Sequence, residues 1–574
     1  MKARIFILGF FILLLAGSCD FLDYDETTYY SKEDMYEDFT RTKQMLTSIY
    51  SYLNNEASGI NGDVLRSAAC DEAIFTNKLS YIHSFNNGSW SATKPLDNRW
   101  SLFQAIRLVN LFLEETKGQT FDNLKHNIEY AEIMAQFRYY PYEARFLRAY
   151  FYFELAKRYG DIPLINGVLT EEEANKLKRT PFDEVIQFIV YECDAVAREL
   201  PVNYLGVPRS EIGRATKGMA MALKSKALLY AASPLFNPTN DKSKWEKAAL
   251  AAADVISIAE IAPGSGGLGY SLSASTNLWN RNYTENRELI LGILIPESNT
   301  FERQNYPIGI TGGGSSGHCP TQNLVEAYEM AATGLPVTAE AGYETVDPTF
   351  DPQNPYEGRD PRLAAHIAVN NSIWPTQYAQ PLEIWEGGRS GKPVKDATST
   401  GYYLKKYVDG VTELRPGFTI TARRHVWMIL RYSEILLNYA EAVVEAYGDY
   451  NFTSADLPIS AKEAVDKVRA RAGVEMPPFP ATLTTEEFKL KLRNERRVEF
   501  AFEDQRFWDI RRWKIAPQTT DIYGVEIAKA GFDFSYTRVL VEKRTFTDNM
   551  YLYPIPQSEL LTNRNLTQNP GWSK

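Results

Sequence analysis

The chain is poor in the residues on which most metal and redox chemistry is built: 574 residues hold five histidines and four cysteines. His83, His126, His366 and His425 stand singly and His318 only adjoins Cys319, so no Cys-x-x-Cys or His-x-x-x-His spacing forms a local metal site. Calcium held by loop oxygens has no compulsory spacing and stays open; no other cofactor is expected. Apart from Cys19, the cysteines Cys70, Cys193 and Cys319 are far apart and odd in number. They exclude a disulfide framework and read as small buried apolar residues. A basic excess is also missing: 62 Lys and Arg against 72 Asp and Glu give a formal charge of −10, which argues against nucleic acid or an anionic membrane as the main partner. After the first twenty residues no long apolar run recurs, so the body reads as soluble.

What the chain does have begins at its start. A basic opening leads through the apolar stretch Ile5 to Leu15 into Ala16-Gly17-Ser18-Cys19. That stretch is too short for a comfortable bilayer crossing and ends in small residues, as a cleaved secretory signal does. Cys19 at the junction resembles the lipobox of bacterial lipoproteins. The resemblance implies removal of residues 1–18, lipidation of Cys19 with acyl chains such as palmitate, and anchorage of the body to a membrane. Asp20, Asp23, Asp25 and Glu26 follow, resembling the surface-export signal of Bacteroidetes lipoproteins; residues 19–35 then read as an acidic tether.

Two stretches carry long helical patterns, 36–262 and 422–515, and the glycine-rich stretch 263–421 separates them. In Tyr142 to Tyr159 apolar residues fall on nearly every side, predicting a helix packed on several faces. Lys217 to Ser233 repeats this with alanines, and Val426 to Tyr447 predicts an amphipathic helix whose partner is Ser460 to Arg471. Alanine-rich helix pairs look like divergent tetratricopeptide hairpins. The middle stretch, broken by Gly264 to Gly267, Gly312 to Gly314 and Gly387-Gly388, reads as a loop-rich insertion carrying the ligand face. The expected fold class is mainly α: a tetratricopeptide-like helical-hairpin scaffold with that insertion, closed by residues 516–574.

Two constellations invite an enzymatic reading. Phe488 to Trp513, taken as one helix, puts Glu495, Glu499 and Glu503 one turn apart, near the carboxyl spacing of a retaining glycosidase. Arg496, Arg497, Arg506, Arg511 and Arg512 interleave with them, however, and favour bidentate structural ion pairs instead, with Glu495, Arg497, Glu499 and Arg506 in that role. Gly313-Gly314-Ser315-Ser316-Gly317 fits Gly-x-Ser-x-Gly, but the prolines and glycines around it deny the strand and helix that a nucleophile elbow needs.

Aromatic residues are the surplus: 35 Tyr, 29 Phe and 10 Trp. Most must be core, yet rings in polar loops suit a sugar, whose faces are apolar and whose rim is hydroxyls. The candidate ligand residues are Tyr81, Phe85, Asn86 and Trp90 in one loop, Trp374, Tyr378 and Trp385 in another, and Trp279.

The chain closely resembles the SusD/RagB family of outer-membrane nutrient-uptake lipoproteins. The matching blocks include Glu143 to Leu155 with Tyr159 to Leu164, Gly213 to Gly218 leading to Ala232 to Asn237, Gly358-Arg359-Asp360-Pro361-Arg362-Leu363, Arg431 to Ala442, Glu495 to Trp513, Tyr553 to Pro556 and Asn569 to Trp572. The resemblance implies a non-catalytic lipoprotein on the outer membrane, facing the cell exterior, that captures a glycan and passes it to a SusC-like TonB-dependent transporter. A peptide-capturing lipoprotein of the same system is the alternative, and a surface glycoside hydrolase the third reading.

Overall fold

A computed structural model describes residues 31–60, 62–208, 211–273, 278–280, 286–339 and 346–573. Cys19, the signal and the acidic run to Glu26 lie outside the described residues.

The long helices form a stack in which successive members pack on each other. They are α1 (Phe39–Tyr50), α2 (Leu102–Glu115), α3 (Tyr140–Tyr159), α4 (Phe182–Glu199), α5 (Lys217–Ala232), α6 (Lys242–Ala259), α7 (Tyr432–Tyr447), α8 (Ala461–Ala470), α9 (Thr485–Glu499) and α10 (Gln505–Arg512). Contacts run α1 to α2, α2 to α3, α3 to α4, and on through α5, α6 and α7 to α8. The stack therefore passes directly from α6 to α7, and the 172 or so residues between them in sequence leave it as an excursion. The fold is mainly α and tetratricopeptide-like, as its composition of helix pairs predicts.

Helix α3 shows why. Pro141 opens it, Gly160 at φ +69° closes it, and Phe146, Leu147, Phe151, Leu155 and Ala156 are all fully buried. With no polar face, it can exist only wrapped by α2 and α4. In α5 and α6 the alanines Ala220, Ala227, Ala249 and Ala252 are buried and let the helices approach closely. Thr216 caps α5, and capping boxes at Ser460 and Thr484 start α8 and α9.

Two expected helices are corrected. Val426 to Arg431 does not begin α7 but ends a strand. Two strands come first, β1 (Ala73–Phe75) and the ten-residue β2 (Leu289–Ser298), with β3 (His318–Pro320), β4 (Ile367–Ala368) and β5 (Tyr403–Leu404) between β2 and β6; β6 (Arg423–Arg431) then pairs antiparallel with β2. An unbroken apolar run with a pairing partner prefers extended backbone, and Arg431 needs it to reach its carboxylates. Phe488 to Trp513 is two helices, broken where Phe502 and Asp504 adopt φ of +63° and +66°. Glu503 thus lies in the break and not in a row with Glu495 and Glu499.

The break serves a buried lattice of charge. Arg362 reaches Asp360 at 2.7 Å, Glu495 at 2.5 Å and Glu499 at 2.8 Å. Arg431 reaches Glu288 and Glu499 at 2.6 Å and Glu503 at 2.7 Å. Arg469 joins Glu495 to Glu329, Arg471 joins Glu499 to Glu288, and Lys406 meets Glu503 at 2.6 Å. Burial pushes the Glu499 carboxyl up, but Arg471, Arg431 and Arg362 outweigh it and hold it well below the usual range. Glu288, Glu329, Asp360, Arg362, Lys406 and Arg431 belong to the excursion and the others to the stack, so the lattice is the rivet between them. A second cluster sets Asp71 against Arg497 at 2.9 Å and Arg506 at 2.8 Å. The ion-pair roles of Glu495, Arg497, Glu499 and Arg506 are seen directly. Cys70, Cys193 and Cys319 are buried and free.

A strand hairpin, β7 (Asp521–Ala530) with β8 (Asp533–Lys543), completes the chain's described elements of any length.

Two outcomes are expected. Glu499→Ala leaves three arginines without their shared carboxylate and should cost about 3–5 kcal/mol, read as a lowered midpoint of denaturant unfolding. Beside Asp71, the fully buried Glu72 is pushed up to about 8, by burial first and by the Asp71 charge second. A carboxyl whose folded pKa is raised favours the fold at low pH: its contribution declines as pH rises from about 4.5, where the unfolded chain begins to ionise, and is lost above about 8. Glu72→Gln should therefore flatten the fall in melting temperature between those two pH values; an unchanged slope would assign the pH dependence elsewhere.

Candidate functional site

The excursion and the loop after β1 meet on one face, and backbone chemistry explains how. Asn77 closes a turn by accepting from Leu79 N–H at 3.0 Å, which leaves Leu79 95% exposed and Tyr81 41% exposed. The Tyr81 hydroxyl donates to Asp63 at 3.3 Å. Gln304, in the short helix Thr300–Asn305, donates to the carbonyls of Gly62 and Asp63 at 3.3 and 3.0 Å, joining the two segments. The glycine loop then folds back: Ser315 N–H donates to Arg303 O at 3.1 Å, and the Thr76 hydroxyl donates to Ser315 O at 3.0 Å. Gly312, at φ +95°, lies so close to the Tyr378 hydroxyl that a Cβ there would stand 2.7 Å from it. Tyr378 in turn accepts from Leu414 N–H at 3.0 Å and lies 5.3 Å from the Arg415 guanidinium. Arg415 is locked in place by Glu413, whose carboxyl that hydrogen bonding holds down to about 2, and it stacks 4.0 Å from the Phe418 ring, 57% exposed.

The face thus runs from Leu79 and Tyr81 across residues 303–317 to Tyr378, Arg415 and Phe418. Behind Tyr81 is a cavity of about 260 Å³ lined by Glu56, Asp63, Asp97, Asp504, Arg66 and Arg99. Both of its arginines are paired: Arg66 meets Asp504 at 2.5 Å and Asp97 at 3.1 Å, and Arg99 meets Asp97 at 3.1 Å. Asp97 also binds Arg158 of α3 at 3.0 Å, so the loop bearing Tyr81 is anchored to the helical stack. Rings and paired charges of this kind offer apolar faces beside amide, carboxylate and guanidinium groups, the chemistry a sugar ring takes up.

Burial corrects half of the residues expected to touch ligand. Trp90 is 3% exposed and its ring packs against Phe85, Tyr553 and Trp572 with centroids 4.7–5.1 Å away. Phe85 is in the same cluster, and Asn86 is buried with its amide on Ala68 O at 3.0 Å. Trp279 is buried beside His366 and Tyr407. These four residues pin loops and present no ring or amide face to solvent, because a large ring in a polar loop is as useful for anchoring as for binding. Trp374 and Tyr378 are buried too, 7% and 8% exposed, although Trp374 lines a cavity. Trp385 is half-buried, with Lys529 4.1 Å over its ring and Phe534 alongside, away from the face. Phe418 escaped the sequence reading. Its signal is the turn Arg415-Pro416-Gly417, which points the next side chain outward.

Neither catalytic constellation assembles. His318 beside the Gly-x-Ser-x-Gly pattern is fully buried; its Nε2 accepts from Leu65 N–H at 2.9 Å, and its Nδ1 faces Asn305 Oδ1 at 2.8 Å. Burial lowers its pKa to about 3, so it is a neutral structural side chain with no lone pair free for Ser315. Glu495 and Glu499 are saturated by arginines. Among the described residues, no group of three or more His, Cys, Asp or Glu is placed to hold a metal ion.

Comparison with known proteins agrees with this geometry. The sequence profile of the SusD family matches residues 277–572. The chain belongs to the SusD family. Residues 20–229 match a further profile, described as starch-binding and associating with the outer membrane. Two SusD-like proteins of Formosa agariphila are similar, one 23% identical over 452 residues (75% of this chain, 73% of the relative), the other 22% identical over 551 residues (90% of each). A SusD-like protein of Bacteroides fragilis NCTC 9343 has the same fold at a TM-score of 0.75 and 29% identity, covering 94% of this chain and 99% of that one. A SusD-like carbohydrate binding protein of the same strain follows at 0.70 and 26%, covering 93% and 100%. A laminarin binding SusD-like protein, 20% identical, shares the fold at 0.61, covering 93% and 99%. Among the described residues no helix is long and apolar enough to cross a membrane.

Trp90→Ala and Trp279→Ala are expected to act as core deletions, each costing about 3–5 kcal/mol in unfolding experiments. A variant that kept its stability and lost ligand affinity instead would return that ring to the binding site.

Proposed function

We propose that this chain is a cell-surface lipoprotein, anchored through Cys19 to the outer membrane, that captures oligosaccharides and delivers them to a SusC-like TonB-dependent transporter, without catalysis and without a cofactor. The observation that carries the reading is the face from Tyr81 to Phe418: exposed rings held beside Gln304, Arg415 and paired carboxylates, on loops tied by buried ions to a rigid stack. A rigid platform binds without the entropic cost of ordering its own loops. Membership of the SusD family and the starch-binding description of the profile over residues 20–229 support the same reading. So does the carbohydrate binding named for one of the Bacteroides fragilis neighbours.

Tyr81→Ala and Phe418→Ala each remove an exposed ring that contributes little to the core. Each should weaken binding of the cognate oligosaccharide roughly threefold to tenfold in calorimetry while leaving the melting temperature unchanged. Undiminished affinity in both variants would move the site off this face. Undiminished binding of extended peptides, with silence toward glycans, would favour the peptide-capturing alternative, since backbone recognition survives the loss of rings.

A further inference from the structure

On the far side of the turn Thr376–Tyr378 lies a second and larger cavity, about 630 Å³, whose walls include Pro361, Trp374, Thr376, Lys405, Asp409 and Val411. It adjoins the ligand face through shared backbone. The Thr376 hydroxyl and Gln377 N–H both donate to Gly410 O, at 3.0 and 2.9 Å, and the Tyr306 hydroxyl donates to Asp409 O at 2.6 Å.

The charges in this cavity are unequal. Asp409 is occupied: its carboxylate accepts from Val411 N–H and the Thr412 hydroxyl, each at 3.0 Å, and faces Arg423 at 3.7 Å. Lys405 is not. Its ammonium donates to the carbonyl of Ala364 and stands 5.1 Å from the centre of the Trp374 ring, but no carboxylate lies within ion-pair distance of it among the described residues. The next residue makes the contrast plain, since Lys406 meets Glu503 at 2.6 Å, and the other buried lysines, Lys157, Lys226 and Lys491, all have carboxylate partners. Lys405 is half-buried, so its charge has given up part of its hydration for a carbonyl and a ring face, both of them neutral, and burial lowers its pKa. At least one ammonium N–H remains for a further acceptor. Trp374 cannot retreat from the wall, because Gly410 backs it so closely that a Cβ there would fall 2.4 Å from the ring.

We propose that this cavity is a subsite for a negatively charged sugar residue, with Lys405 taking the carboxylate or sulfate group while the edge of Trp374 and the Thr376 hydroxyl meet the sugar body. The inference rests on the glycan-capture reading and narrows its cargo to acidic oligosaccharides. The net charge of −10 opposes such a ligand only at long range, where salt screens it; at contact the uncompensated ammonium dominates.

The test is calorimetry of the purified chain with three probes: an oligogalacturonide, a sulfated galactan oligosaccharide and a neutral β-glucan oligosaccharide. Binding of one or both acidic probes is expected, and which of them binds separates carboxylate from sulfate. Lys405→Gln keeps a polar side chain and removes the charge, and should weaken acidic-probe binding roughly ten- to a hundredfold, with Lys405→Arg restoring most of it. Ionic strength gives an independent readout in the unaltered protein, should the variant fold poorly: affinity for the acidic probe should fall as salt rises. Binding of the neutral probe alone, equal acidic-probe affinity in Lys405→Gln, or a flat salt response would overturn the subsite and leave the capture reading intact. Silence toward all three glycans would overturn both.

Discussion

The lattice of Arg362, Arg431, Arg469, Arg471 and Lys406 with Asp360, Glu288, Glu329, Glu495, Glu499 and Glu503 is the constraint on which the rest of the molecule hangs. Buried ion pairs add little net stability over apolar packing, because each charge surrenders its hydration. Their effect is on alternatives. Any arrangement that leaves one member unpaired costs several kcal/mol, so the long excursion between α6 and α7 has one way to sit on the helical stack. A left-handed backbone at Phe502 and Asp504, uncommon for such residues, is tolerated to bring Glu503 into place.

This division of labour explains how one scaffold can present different ligand faces. Helices α1 to α10 are packed through alanines and large buried rings and leave no freedom to vary. The loops at 77–99 and 300–418 are fixed at their bases, by Asp97 on Arg158, Asp71 on Arg506 and Lys406 on Glu503, and are free at their tips. Binding chemistry can therefore change at Leu79, Tyr81, Arg415 or Phe418 without disturbing the frame.

The helical scaffold was legible because its signals are local and repeated: apolar periodicity, alanine stripes, capping residues, and glycines after α3 and α7. The ion-pair roles of Glu495, Arg497, Glu499 and Arg506 were legible too, since arginines interleaved with carboxylates have few other uses. What misled was anything decided by partners distant in sequence. The run Val426 to Arg431 has helical spacing, and only pairing with Leu289–Ser298 makes it a strand. The ring of Trp90 sits in a polar loop, and only Tyr553 and Trp572, more than 450 residues away, turn it into core. The lone charge of Lys405 is of the same kind: the absence of a counterion belongs to the folded chain and has no sequence pattern, whereas Phe418 was announced only by the turn Arg415-Pro416-Gly417.

Hydrogen–deuterium exchange of the chain with and without a saturating oligosaccharide tests the central claim most directly, because it locates the binding surface without altering a residue. Added protection confined to segments 77–81, 303–317, 374–378 and 405–418, with the buried clusters around Trp90 and Trp279 unchanged, is what the rigid-frame account requires. Protection concentrated on the hairpin Asp521–Lys543, or spread through α3 and α9 as a global tightening, would contradict it.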